Sequence, residues 1–378
     1  MESVVIPVST KMLFHNRLRF AMTVVGIAIA FFLAAAQIGL LVGWVNTNSA
    51  IIKHANVDLW VMAKETRTLD YGTAIPRHRI QQVSSVEGVK WAEGMLVGWV
   101  NWQHPEGKRI TVEVIGLDES NAGGPWAMGS GSVESVHLPE TVVVDELSKE
   151  ALGTLVVGDE AEMEGKRVIV GGFSQGVRTF TAAPFVFTSL ENAIEYIPYY
   201  RDDEISYVLA RIESNTDLIA VRDRIAAEVL DVEVLTTDKF AERSVKYWML
   251  ETGVGITVII TAVLGLLVGA VIMSQTLFAI TQDHIANYAT LLALGFHHKT
   301  LRQIVLAQSL SLGGLGIIVG LVLFVLACKA SERSPIPLET TPLISLGLIV
   351  FSLLCCIGAS WFSIRAIFKL DPVMVFHG

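Results

Sequence analysis

The sequence predicts a multi-pass α-helical membrane protein with four transmembrane helices and a large α+β extracytoplasmic domain inserted between helices 1 and 2. Three observations predict it. The 378 residues have a mean hydropathy of +0.53 and only 17% charged residues, which is too apolar for an ordinary soluble chain. Four stretches, 20–45, 252–281, 303–328 and 340–364, contain no Asp, Glu, Lys or Arg, and each exceeds the roughly 20 residues that a helix needs to cross the hydrocarbon core. Between the first two lies a long acidic segment: residues 46–250 hold 31 acidic and 19 basic residues, while the rest of the chain is net +3.

Residues 1–19 carry Lys11, Arg17 and Arg19 and read as a cytoplasmic amphipathic segment ahead of helix 1 at 20–45. The basic start and Leu33-Ala34-Ala35-Ala36 imitate a secretory signal, but the apolar run continues through Ile38, Leu40, Leu41 and Val45, too long for such a signal. Residues 46–251 are enough to bury a core of their own. Within them 57–63 has strand character, and 75–83 reads as a helix with Pro76 at its start. Residues 90–102 and 109–117 read as strands joined by a Pro105-Glu106-Gly107 turn. Residues 205–212, 217–230 and 232–235 then read as strand, amphipathic helix and strand, so the two ends of the domain match. The Gly-rich stretch of about 121–200 reads as an inserted lobe. Helix 2 at 252–281, a short cytoplasmic helix region at 282–302, helix 3 at 303–328, a short outer loop at 329–339, helix 4 at 340–364 and a C-terminal segment at 365–378 complete the chain. Lys299 and Arg302, with Arg365 and Lys369, lie on the same side as the first basic cluster, which places both termini in the cytoplasm.

Little in the sequence points to chemistry. Gly107-Lys108 and Gly165-Lys166 are each followed by Arg and lack the glycine spacing of a phosphate loop, so no ATP site is expected on this chain. Cys328, Cys355 and Cys356 fall in or at the ends of the apolar runs, leaving the outer domain without a disulfide framework. Asp202-Asp203-Glu204 reads as a solvated turn and His297-His298 as a basic membrane-edge pair, neither as a metal site. The acidic balance argues against a nucleic-acid partner. The four runs hold no charged residue or His, which argues against a polar pathway through them. Gly265 and Gly269, like Gly316 and Gly320, are spaced for close helix contacts, within one chain or between two. Trp91, Trp99 and Trp102 are either core residues or a surface for an amphipathic substrate or adaptor, and Trp44 and Trp361 read as interfacial anchors.

The stretch NYATLLALGF begins a helix too short to span. Ile285, Tyr288, Ala289 and Leu292 share one face, Leu291, Leu294 and Phe296 add apolar surface, and Gly295 ends the helix. Such a helix suits two uses, lying in the lipid headgroup layer or docking into a groove on a cytoplasmic partner.

NYATLLALGF resembles the coupling helix of the MacB/FtsX-like (type VII) ABC permeases, whose pattern is roughly E-I-G-x-L-R-A-L-G-A. The order of parts is similar too: one span, a large outer domain, then three spans. NRLRFAMTVVGIAIA resembles the family's N-K-x-R start to its first helix, and KLDPVMVF its closing L-D-P-V-x-A-L. The fragments AAQIGL, VDLWVMAKETRTL, VEVIGLD, VVVDELSKEALG and DHIANYATLLALGF resemble the DevC-type branch. The resemblance implies a permease subunit of a tripartite efflux-type exporter in the bacterial inner membrane, in contact with membrane lipid. It would work as a homodimer with a cytoplasmic ABC ATPase, a periplasmic membrane-fusion adaptor and an outer-membrane channel. ATP and Mg would be held by the ATPase, with no cofactor on this chain, and Tyr288, Leu291, Leu292, Leu294, Gly295 and Phe296 would dock it. Where family members often carry an acid and a base, this helix has Asn287 and Leu292, so its docking is expected to be apolar. An FtsX-like transmembrane regulator without cargo is a second reading. An enzyme with an anchored outer domain is a third, disfavoured by three spans where one would anchor.

Overall fold

The computed structural model describes residues 12, 17–181, 183–334 and 336–367, so most of the expected N-terminal segment 1–19, and KLDPVMVF near the C-terminus, lie outside the described residues. The chain forms two compact units. One comprises the described residues of 44–256 and 333–336, and the other comprises the rest of the described residues.

The first unit is built on one mixed sheet. Its strands β1 (Leu59–Ala63), β3 (Val89–Gln103), β11 (Tyr207–Ile212) and β12 (Val232–Thr236) lie in the order β12-β1-β11-β3, each antiparallel to its neighbour. Helix α2 (Arg79–Ser84) connects β1 to β3, and α5 (Leu218–Glu228) connects β11 to β12. Two strand-helix-strand units therefore interlock as a split βαβ, ferredoxin-like pattern. Strand periodicity explains the burial. Leu59 and Val61 enter one core beside Val83 of α2 and Val221 and Ile225 of α5. Trp60 and Met62 enter a second core beside Phe240 of α6 (Thr237–Lys246) and Ile51 and Ile52 of α1 (Arg17–His54). With helices on both faces, the strands are buried on both sides.

Between β3 and β11 the chain adds β4 (Arg109–Leu117), β5 (Met128–Gly131), β6 (Thr141–Asp145), β7 (Glu160–Met163), β8 (Lys166–Ser174) and β9 (Phe185–Ser189). The segment read as an inserted lobe joins the same sheet, in the order β3-β4-β9-β6-β8-β5, with β7 pairing β3 and β8. The β3–β4 turn is the expected one, closed by the His104 N–H donating to the Lys108 carbonyl at 2.8 Å, with Gly107 at φ +84°. Pro76 does not start a helix. It lies in β2 (Ile75–Pro76), paired with β10 (Glu204–Ile205), because the Arg77 N–H is drawn to the Asp203 carbonyl at 2.6 Å and the helix begins only at Arg79. Short helices α3 (Lys149–Leu152) and α4 (Leu190–Tyr196) complete the unit.

The second unit holds apolar helices. Among the described residues four are long and apolar enough to cross a membrane: α1, α7 (Val254–Asp283), α9 (His298–Ala330) and α10 (Pro342–Ile367). A Cβ on Gly265 would stand 2.4 Å from the Gln37 side chain, and one on Gly316 2.5 Å from Ile27, so both glycine pairs let α7 and α9 approach α1 of the same chain. Gly313 does the same for Cys356 of α10. Arg19 pairs with Asp283 at 3.1 Å where α1 begins and α7 ends, an exposed pair worth at most about 1 kcal/mol.

Candidate functional site: a short helix between two apolar helices

After α7 the backbone breaks at His284 and restarts as α8 (Ile285–Ala293). Nine residues make a marginal helix alone, so α8 depends on what its apolar face meets. That face turns into the chain. Tyr288 is 0% exposed and packs with Leu301, Ile304 and Val305 of α9 and Ile364 of α10, while Ile285, Leu291, Leu292 and Phe296 lie half-buried around them. The Tyr288 hydroxyl donates to Gln308 Oε1 at 2.5 Å, and Gln308 Nε2 reaches Met12 Sδ at 3.8 Å. Burial pushes the Tyr288 phenol far above its usual range, so it remains a donor at any physiological pH.

The end of α8 is closed by its own backbone. The Gly295 N–H donates to the Leu292 carbonyl at 2.9 Å and the Phe296 N–H to the Leu291 carbonyl at 3.1 Å, with Gly295 at φ +88°. This is the double bond pattern of a Schellman end, and Leu291 and Phe296 occupy the positions whose side chains usually meet there. At the start of α9 the His297 carbonyl accepts from the Thr300 N–H at 2.9 Å. Outward face Asn287, Thr290, Ala293, Leu294 and Gly295, with Leu294 70% exposed.

The expected docking residues therefore divide. Tyr288 is sealed inside the chain, bonded to Gln308. Leu291, Leu292 and Phe296 are shared between the chain's own core and the surface, and Leu294 and Gly295 are free on the outside. Gln308, which the sequence shows only as an uncharged polar residue inside an apolar run, is the missed member of the group.

The three tryptophans do not converge. Trp102 is fully buried on one face of the sheet, its Nε1 donating to the Leu152 carbonyl at 3.1 Å. Trp91 packs against the core of the other face, and Trp99 Nε1 donates to the Asp70 carbonyl at 2.8 Å. Trp44 is 3% exposed with Phe180 edge-on at 5.6 Å, so it is a packing residue rather than an interfacial anchor. Among the described residues no group of three or more His, Cys, Asp or Glu is placed to hold a metal ion.

Residues 20–228 match the family model of the MacB-like periplasmic core domain, and residues 259–372 match that of the FtsX-like permease C-terminal domain. No curated protein matches the chain. Among solved structures, the periplasmic region of MacB from Actinobacillus actinomycetemcomitans is 11% identical, with 50% of this chain and 92% of that one covered and a TM-score of 0.40. The extracellular domain of the ABC-type transporter YknZ from Gram-positive bacteria is 12% identical, with 47% and 98% covered and a TM-score of 0.36. A domain of a permease protein from Porphyromonas gingivalis is 13% identical, with 48% and 90% covered and a TM-score of 0.32. With a core-domain match over more than half its length and a permease-domain match over most of the rest, the chain belongs to the MacB/FtsX-like ABC permease family.

Proposed function

We propose that this chain is the permease subunit of an ATP-driven, tripartite efflux-type exporter of the DevC-type branch. It passes the motion of a cytoplasmic ATPase through its apolar helices to a periplasmic domain that expels an amphipathic or hydrophobic substrate. Permeases of this family lack an ATPase site of their own and work with cytoplasmic ATPase partners. The complex would comprise two copies of this chain, the ATPase with its ATP and Mg, a periplasmic adaptor and an outer-membrane channel. The chain would sit in the inner membrane with both termini in the cytoplasm.

The observation that carries the reading is α8. A helix fastened along one side to α9 and α10, and ended by a backbone lock that leaves Leu294 exposed, moves as one piece with the helices on which it rests. The apolar runs 20–45, 252–281, 303–328 and 340–364 hold no charged residue, which suits mechanical transmission rather than a polar pathway.

The test is capture of the ATPase subunit by the purified chain and by its Leu294→Asp variant. Leu294 is 70% exposed, so the substitution leaves the fold intact. A carboxylate forced into an apolar groove costs several kcal/mol, enough to weaken a modest interface by orders of magnitude. Capture at wild-type yield would remove α8 as the docking element. The regulator reading predicts the same ATPase contact, and the co-purifying envelope partner separates the two: an adaptor for export, a cell-wall hydrolase for regulation.

A further inference from the structure

Strand β4 carries a glutamate where its register calls for an apolar residue. Glu113 shares a sheet face with Ile115 and Leu117 and lies across from Trp99 of β3 and Phe185 of β9. It is 0% exposed, and among the described residues neither carboxylate oxygen has a hydrogen-bond partner. A buried acid in that state is neutral, because the anion without a partner costs several kcal/mol. Burial first, and the charge of Asp70 second, push its titration well above the usual carboxylate range. Such an orphaned group requires an explanation.

A second acid and a set of rings connect to it through Trp99, its partner across the sheet. Asp70 is 5% exposed and its Oδ2 accepts from Thr68 Oγ1 at 2.6 Å and from Trp248 Nε1 at 3.0 Å, while its carbonyl accepts from Trp99 Nε1 at 2.8 Å. Tyr71, on the same turn as Asp70, lies 6.4 Å from the Trp99 ring and 6.0 Å from the Trp248 ring, inclined 30° to each. It is 53% exposed. The titratable groups facing Glu113 are the phenols of Tyr71, Tyr199 and Tyr207 and the Asp70 carboxyl. Among the described residues no basic side chain pairs with either acid.

We propose that Glu113 and Asp70, with the rings of Tyr71, Trp99 and Trp248, form a binding site for an organic ammonium ion carried on an apolar body. The ring faces attract a cation and shelter its hydrocarbon, and the orphaned carboxyl supplies the counter-charge that nothing else in the fold uses. Rotation of Tyr71, an exposed side chain on a short turn, admits the ligand. On binding, the Glu113 proton passes to solvent and the carboxylate pairs with the ammonium, so one proton leaves for each cation that enters. The site lies wholly in the unit of residues 44–256, and the inference is independent of the coupling reading.

The experiment uses the full chain in micelles of a neutral detergent, titrated calorimetrically near neutral pH with 2-phenylethylammonium and, separately, with 2-phenylethanol, its nearly isosteric neutral counterpart. Repeating the titration in buffers of different ionisation heat counts the protons released. The amine should bind with release of close to one proton, and the alcohol should bind at least about tenfold more weakly. Glu113→Gln keeps the shape of the neutral acid and should lose the proton release together with about tenfold or more in affinity. Tyr71→Ala, at an exposed position that leaves the core intact, should weaken the amine similarly and carries the test if Glu113→Gln fails to fold. Equal binding of amine and alcohol, amine binding unchanged by both substitutions, or no binding of the amine would each overturn the assignment.

Discussion

Tyr288→Phe removes a single oxygen from the fastening under α8. Tyr288 and Gln308 are 0% and 4% exposed and their oxygens stand 2.5 Å apart, so the loss strands the buried Gln308 Oε1. Stranding a buried acceptor costs about 1–3 kcal/mol, more than the roughly 1 kcal/mol net worth of an ordinary hydrogen bond. Because α8 has only nine residues and no stability of its own, the cost falls on its docking and not on the whole chain. Amide hydrogen exchange on the full chain in micelles reads this directly. The amides of Leu294, Gly295 and Phe296, held by the end of α8, should exchange about 5- to 150-fold faster, and those of β3 and β4 should be unchanged. Adding Gln308→Leu replaces both polar partners by apolar groups and should restore most of the protection. Unchanged exchange at α8, a uniform rise across the chain, or no rescue by the second substitution would refute the reasoning.

Gly295→Val forces a β-branched residue to φ +88° in otherwise open space, a strain of at least about 1–2 kcal/mol that should unlatch Phe296; ATPase capture should persist while hydrolysis ceases to respond to the adaptor. Glu113 titrates higher in the folded than in the unfolded chain, so the folded state holds the extra proton and stability is lost as pH rises from the ordinary glutamate range through the folded value. The difference in unfolding free energy between wild type and Glu113→Gln should therefore change by about 1.4 kcal/mol per pH unit across that window, and a flat difference would show that Glu113 is not buried as a neutral acid. A reporter fused after Leu250 should be active only outside the cytoplasm and one fused after His298 only inside it, and the reverse pattern would overturn the proposed orientation.

The outer unit shows what periodicity reveals and where it stops. β4 was legible to the residue because a strand with alternating apolar positions and a Pro-Glu-Gly turn ahead of it leaves few other readings. That β4 would pair in parallel with β9, and so carry the middle segment into the same sheet, was not legible. The pairing joins Glu113–Leu117 to Phe185–Ser189 across almost seventy residues, and nothing local encodes it. Glu113 was hidden for a similar reason: a glutamate between two valines reads as the solvent side of a half-buried strand, and only helices and turns on both faces make its position internal.

In α8 the apolar stripe of Ile285, Tyr288, Ala289 and Leu292 was visible at helical spacing, but a stripe records which side is apolar and not what covers it. The chain's own α9 and α10 cover most of it, with Ile285 and Leu292 left half-buried at its margin. For a partner, the large apolar side chain most open at α8 is then Leu294, at the end of the helix and next to the Gly295 lock. This changes the mechanics of the proposed coupling. A force on a broad helix face would push α8 flat against its seat, whereas a force on Leu294 acts at one end of a short lever. From there it passes through the Leu291–Phe296 closure to the Tyr288 anchor and into the first turns of α9. On that account Gly295 and Tyr288 govern how faithfully ATPase motion is transmitted, and Leu294 governs whether the ATPase binds. Substitutions at the lock and the anchor should therefore separate coupling from binding, which a docking face spread over the whole helix would not allow.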